Sequence, residues 1–149
     1  MAKFNYNDGG RKAAGFKGSA GDCFVRAVAI AEELQYRDVY DAVNLIAKSE
    51  KDMRGKAGMR AACGKGSSSR NGVWMYTAKA FMEKLGWKWT PTSGIGTGTK
   101  VHLRADELPA GRIIARCSRH YVAVIDGVIQ DTHDSSRNGT RAVYGYWSA

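Results

Sequence analysis

The first pattern in this chain that could do chemistry is a cysteine followed, far downstream, by a histidine and an aspartate. Cys23 follows Gly18-Ser19-Ala20-Gly21-Asp22 and opens an apolar run from Phe24 to Leu34. The spacing predicts a helix over 22–35, with Cys23 at its start. Unpaired N–H groups and the helix dipole at that end favour a thiolate over a thiol. The same N–H groups can hold a developing oxyanion. A thiolate nucleophile needs a histidine to carry its proton and a third group to orient that histidine.

A hairpin supplies both. Tyr121-Val122-Ala123-Val124-Ile125 and Val128-Ile129-Gln130-Asp131-Thr132 flank Asp126-Gly127. Asp-Gly between two β-rich runs marks a tight turn. A two-residue turn pairs Ile125 with Val128, so Val124 faces Ile129, Val122 faces Asp131, and His120 faces His133. Alternation then puts His120, Val122, Ile129 and Asp131 on one face. His120 and Asp131 become diagonal neighbours, with backbones roughly 7–8 Å apart. Asp131 can hold one imidazole nitrogen while the other faces Cys23. Asp134 is the rival carboxylate, in a His133-Asp134-Ser135-Ser136 stretch that reads as a turn. His133 reads as an exposed strand-end residue that could line the site, and His102 as a structural histidine.

Other chemistries find less support. Three cysteines and three histidines are present, but no C-x-x-C or H-x-x-x-H spacing joins them, so no metal site is expected. Gly58 to Gly66 lacks phosphate-loop spacing, and no Ser or Thr follows Lys65. Gly94 to Gly98 is not a dinucleotide fingerprint and reads as a flexible loop. No cofactor is expected.

The elements that must position these residues follow from periodicity. Residues 1–21 are polar and glycine-bearing and read as a loop wrapped over the body. The helix after Cys23 is apolar nearly all round, the mark of a central, buried helix. A second helix is expected over 38–48 and a third from Val73 to Leu85, stopped by Gly86. Residues 48–70 hold seven Lys/Arg with glycines and Ser67-Ser68-Ser69, and read as a mobile basic loop. Strands are expected at 87–90, 101–103, 113–117, either side of Asp126-Gly127, and 141–147. Trp87 and Trp89 would share one sheet face. Helices first and an antiparallel sheet second make an α+β domain.

Composition bounds the rest. The chain has 149 residues, which suits one domain able to bury roughly 70% of its unfolded surface. It is 44% hydrophobic, which excludes a disordered chain. No run of about 18 apolar residues exists, so no membrane partner is expected. The N-terminal residues lack a signal-type apolar run, which points to the cytoplasm and to free thiols. A net charge of +9 admits a nucleic-acid partner, an acidic protein, or solubility alone. The basic loop, with Trp74 and Tyr76 nearby, therefore supports a second class: a non-enzymatic binding protein holding nucleic acid or an acidic protein. It could also overhang the cleft and recruit an acidic substrate.

The order Cys23, His120, Asp131, on a helix and two successive strands, resembles the papain-like cysteine peptidase superfamily. Gly21-Asp22-Cys23-Phe24-Val25-Arg26-Ala27 is similar to the nucleophile segment of ovarian-tumour-type deubiquitinases. Leu108-Pro109-Ala110-Gly111-Arg112-Ile113-Ile114, leading into His120-Tyr121-Val122-Ala123-Val124, is similar to the bacteriocin-processing peptidase domains of ABC transporters. The whole chain also resembles small uncharacterised bacteriophage and prophage proteins. The resemblance implies one papain-like domain, with a helical half carrying Cys23 and a sheet half carrying His120 and Asp131. It implies a cysteine-dependent hydrolase of a peptide, isopeptide or amide bond in a protein or peptide substrate. Cys23 would be nucleophile, His120 general base and then acid, and Asp131 the orienting group. An oxyanion hole would use the Cys23 amide and donors at Lys17 or Ser19. Lys17 stands where many members carry Gln, and the Gly18 to Asp22 backbone would substitute, as in the ovarian-tumour type.

Overall fold

A computed structural model of the chain describes residues 3–17, 21–51, 67–70, 72–93 and 100–149. In chain order these form β1 (Lys3–Tyr6), α1 (Cys23–Glu32), α2 (Tyr36–Lys51), α3 (Met75–Lys84), β2 (Lys88–Pro91), β3 (Arg112–Cys117), β4 (His120–Ile125), β5 (Val128–Asp131) and β6 (Val143–Ser148). The strands make one sheet in the order β1-β5-β4-β3-β6-β2. The class is α+β.

The centre of the sheet is buried on both faces, and side-chain alternation sorts the core. Along β4, Tyr121 and Ala123 join the cluster built by α1, where Phe24, Val25 and Val28 are fully buried. Val122 and Val124 join a second cluster with Leu103, Ile113 and Ile129. Burial on both sides explains why β4 reads as a nearly unbroken apolar run. Seven of the ten α1 residues are buried, as the all-round apolar pattern requires. The Arg112 guanidinium donates to the carbonyls of Ile30 and Ala31 at 3.4 Å each. This satisfies carbonyls that the end of α1 leaves open.

One contact fixes the start of α1 against the start of β4. The Phe24 and Tyr121 rings meet edge to face with centroids 5.0 Å apart. These residues directly follow Cys23 and His120, so one aromatic contact clamps the backbone beside both. The Tyr121 hydroxyl is held in turn, accepting from Arg116 at 2.9 Å and donating to the Val73 carbonyl at 3.2 Å.

The hairpin has the expected register, with Ile125 opposite Val128 and Val124 opposite Ile129. Asp126 and Gly127 both have positive φ, 48° and 80°, the geometry of a type I′ turn.

Five expectations are corrected. The sheet is mixed rather than antiparallel, because residues 3–6 leave the expected loop to form β1, parallel to β5. All four β1 residues are exposed, so no buried face marked the strand. α2 runs on to Lys51, so 48–51 are helical rather than part of a basic loop. Residues 67–70 are anchored: the Ser69 hydroxyl donates to the Tyr40 carbonyl at 2.6 Å, and its amide donates to Asn44 Oδ1 at 2.8 Å. The rest of the basic stretch, 52–66, lies outside the described residues, as does the 94–99 loop. The strand expected at 101–103 is reduced to a single bridge between His102 and Ala142. Trp87 precedes β2, though it shares the α1-side cluster with Trp89. No described helix is long and apolar enough to cross a membrane.

Candidate active site

Cys23 is the first residue of α1, His120 the first of β4 and Asp131 the last of β5. The fold brings all three to one end of the sheet. His120 Nε2 lies 2.7 Å from Asp131 Oδ2. Cys23 lines the same cleft beside this imidazole and favours its charged form. Cys23 is half-buried, while His120 and Asp131 are 9% and 3% exposed.

Asp131 is held from several sides. Its Oδ1 accepts from the Thr132 amide at 2.7 Å, and its Oδ2 from the Ser135 hydroxyl at 3.2 Å. Arg26 Nη2 lies 3.3 Å from Oδ1. Burial pulls the Asp131 carboxyl upward, but His120, the Thr132 amide and Arg26 outweigh it and hold it below the ordinary range. Burial also opposes charge on His120. The bond to Asp131, with the influence of Asp131 and Cys23 beside the ring, outweighs that and raises it to about 9. At neutral pH His120 therefore keeps its proton.

A second carboxylate organises the turn before Cys23. Asp22 stands at the N-cap of α1 but makes no side-chain cap bond. Its Oδ1 accepts from Arg26 Nη1 at 2.6 Å and its Oδ2 from the Tyr36 hydroxyl at 2.5 Å, while Arg11 Nε forms an ion pair 3.1 Å from Oδ2. The first helical bond runs from the Arg26 amide to the Asp22 carbonyl at 3.0 Å. The side chain that ordinarily covers first-turn amides is thus turned away, and those amides stay available to an anion at Cys23. Arg26 touches both Asp22 and Asp131 and so ties the turn before Cys23 to the carboxylate that holds His120.

Cys23 and His120 line a cleft of about 740 Å³ together with Gly21, Lys17 and Arg119. Of the expected oxyanion donors, Lys17 lies in this lining and its carbonyl accepts from Arg11 at 3.1 Å. Ser19 falls outside the described residues. Asp134 does not reach His120; its carboxylate accepts from the Ser136 amide and hydroxyl at 3.0 and 2.7 Å. His133 stands at the rim with its ring centroid 5.6 Å from that of His120. His102 pairs with Glu107 at 3.2 Å, away from the site. Cys117 is fully buried, and burial raises its thiol to about 11. Cys63 lies outside the described residues.

His120, Asp131 and His133 each offer a donor atom within 4.8 Å of the others. They are the described residues that could gather around a metal ion. Such an ion would compete with Arg26 and with the His120–Asp131 bond for one carboxylate.

No family model, curated protein or solved structure matches this chain.

Proposed function

We propose that this chain is a cysteine-dependent hydrolase of papain-like type, cutting a peptide, isopeptide or amide bond in a cytoplasmic protein or peptide. One observation carries the reading. A single imidazole is bonded to a buried carboxylate at 2.7 Å and shares an open cleft with a cysteine at a helix start, which favours its charged form. A structural histidine needs no such pair of partners. Nucleophilic catalysis by a thiol needs both.

The steps follow from the positions. The Cys23 thiolate attacks the carbonyl carbon, and the C–O π pair moves onto oxygen. First-turn amides of α1 face that oxyanion. The pair returns, the C–N bond breaks, and the imidazolium of His120 gives its proton to the leaving amine. The acyl group stays on Cys23 as a thioester. His120, now neutral, takes a proton from water, and the hydroxide attacks the thioester. Collapse releases the acid and restores thiolate and imidazolium. Asp131 holds the ring in the tautomer and orientation that both proton transfers use.

Site-resolved alkylation of Cys23 against pH, in wild type and His120→Ala, tests the reading. Fast labelling at pH 6 that disappears in His120→Ala is the expected result. Labelling that rises only near the ordinary thiol range of about 8.5 would sink it.

A further inference from the structure

The charges around the cleft do not balance. Arg11 and Arg26 are both committed to Asp22. Asp8, the other acid on the lining, turns its carboxylate onto the amides of Gly10 and Lys12 at 2.9 and 3.0 Å. Three cations remain: Lys12, Lys17 and Arg119. All three are exposed and line the cleft. None has an ion-pair partner among the described residues.

Arg119 carries a second signal. It sits in the two-residue turn between β3 and β4, next to His120, with φ of 55°. That backbone favours glycine or asparagine. An arginine there is not chosen by the turn, and it places a guanidinium at the mouth of the cleft. A cleft of about 740 Å³ is comparable in width to the roughly 10 Å over which charges act at 0.1 M salt. The three cations therefore act on one bound ligand together, and the protein walls focus their field.

We propose that the cleft selects a peptide with a carboxylate close to the scissile bond, seated by Lys12, Lys17 and Arg119 beside Cys23; this rests on Cys23 being the nucleophile. An acidic side chain and a C-terminal carboxylate offer the same chemistry. A lysine- or arginine-rich peptide is repelled.

The experiment compares two small reagents that differ in charge. Iodoacetate and iodoacetamide labelling rates at Cys23 are measured by mass spectrometry, and their ratio is referred to the same ratio for N-acetylcysteine. In wild type at low salt the normalised ratio is expected to exceed one by roughly threefold or more, and to collapse near 1 M salt, where screening acts within about 3 Å. Lys12→Gln and Arg119→Gly each lower it, and Arg119→Gly suits the turn backbone, so folding is not at risk. A normalised ratio of one or less at low salt, or a ratio indifferent to both substitutions, overturns the proposal. Slow labelling by both reagents counts against the nucleophile reading, while the ratio still reports the field, so the two failures stay distinct. Protection of Cys23 from iodoacetamide then identifies the carboxylate. Acetyl-Ala-Glu-Ala-amide protecting best assigns a side chain, and acetyl-Ala-Ala-Ala with a free C-terminus protecting best assigns a chain end. Equal protection by acetyl-Ala-Gln-Ala-amide overturns the proposal.

Discussion

Arg26 is the residue on which the site's two halves depend. It bonds the carboxylate before Cys23 and the carboxylate behind His120, with its side chain only 12% exposed. Removing one member of a buried charge pair costs about 3–5 kcal/mol, because the partner is left unpaired. Arg26→Gln is therefore expected to lower stability in a denaturant titration. It should also slow Cys23 alkylation at pH 6 more than Arg26→Lys, which keeps the charge. Asp131→Asn tests the orienting role separately. Without the carboxylate, the His120 ring loses the bond that opposes its burial, and Cys23 labelling at pH 6 should slow on the order of tenfold to a hundredfold. An unchanged rate would show that Asp131 is only structural. The His120–Asp131 pair was legible in the sequence, since Asp126-Gly127 sets the register and alternation does the rest. The Asp22–Arg26 pair was not read, although an acid four residues before an arginine on a helix is a visible signal. Arg26 is also the conspicuous charge on an otherwise apolar helix. Tyr36 and Arg11 reach Asp22 only through tertiary packing that no local spacing announces.

Among the elements, the β6–β2 edge of the sheet tolerates little added volume. Gly145 lies in β6 opposite Pro91. A Cβ there would sit 2.3 Å from Trp89 Cζ2 and 2.9 Å from the Thr90 carbonyl oxygen. Gly145→Ala must displace the Trp89 ring, which packs on Trp147 at 4.6 Å, and is expected to cost about 1–3 kcal/mol. Equilibrium unfolding would measure it, and a neutral result would mean that the β2 edge moves freely. α1, the hairpin and the order of helices and strands were readable because each carries its own period or turn chemistry. β1 was hidden for a physical reason. An exposed edge strand of four residues has no buried face to pattern its side chains, and its backbone partner lies at the far end of the chain. The end of α2 was hidden because Lys48-Ser49-Glu50-Lys51 carries no apolar residue to mark the helical period.

For the whole molecule, the buried ion pair links stability to pH. His120 is raised from 6.5 to about 9 in the folded chain. Its contribution is complete below pH 6.5 and disappears as pH rises toward 9. Asp131 is held below 3.8, so its contribution is present above that value and is lost as the carboxyl protonates. The two belong to one pair and count once. Thermal unfolding is expected to peak between these limits and to decline on the alkaline side as His120 loses its proton. His120→Gln should flatten that decline, and a slope unchanged in the variant would place its origin elsewhere.

The same topology has a consequence in time. β1 must pair with β5, and Asn5 meets Gln130 from 125 positions away; Arg26 meets Asp131 from 105. At roughly 5–20 residues per second, a ribosome makes Cys23 several seconds before it makes the hairpin. A nascent chain thus displays its thiol with no imidazole to activate it. Long-range pairing of this kind is also late in folding, because distant segments must find each other before any contact rewards them. Under the proposed function, neither the growing polypeptide nor the machinery around it meets a finished nucleophile until the hairpin has been made.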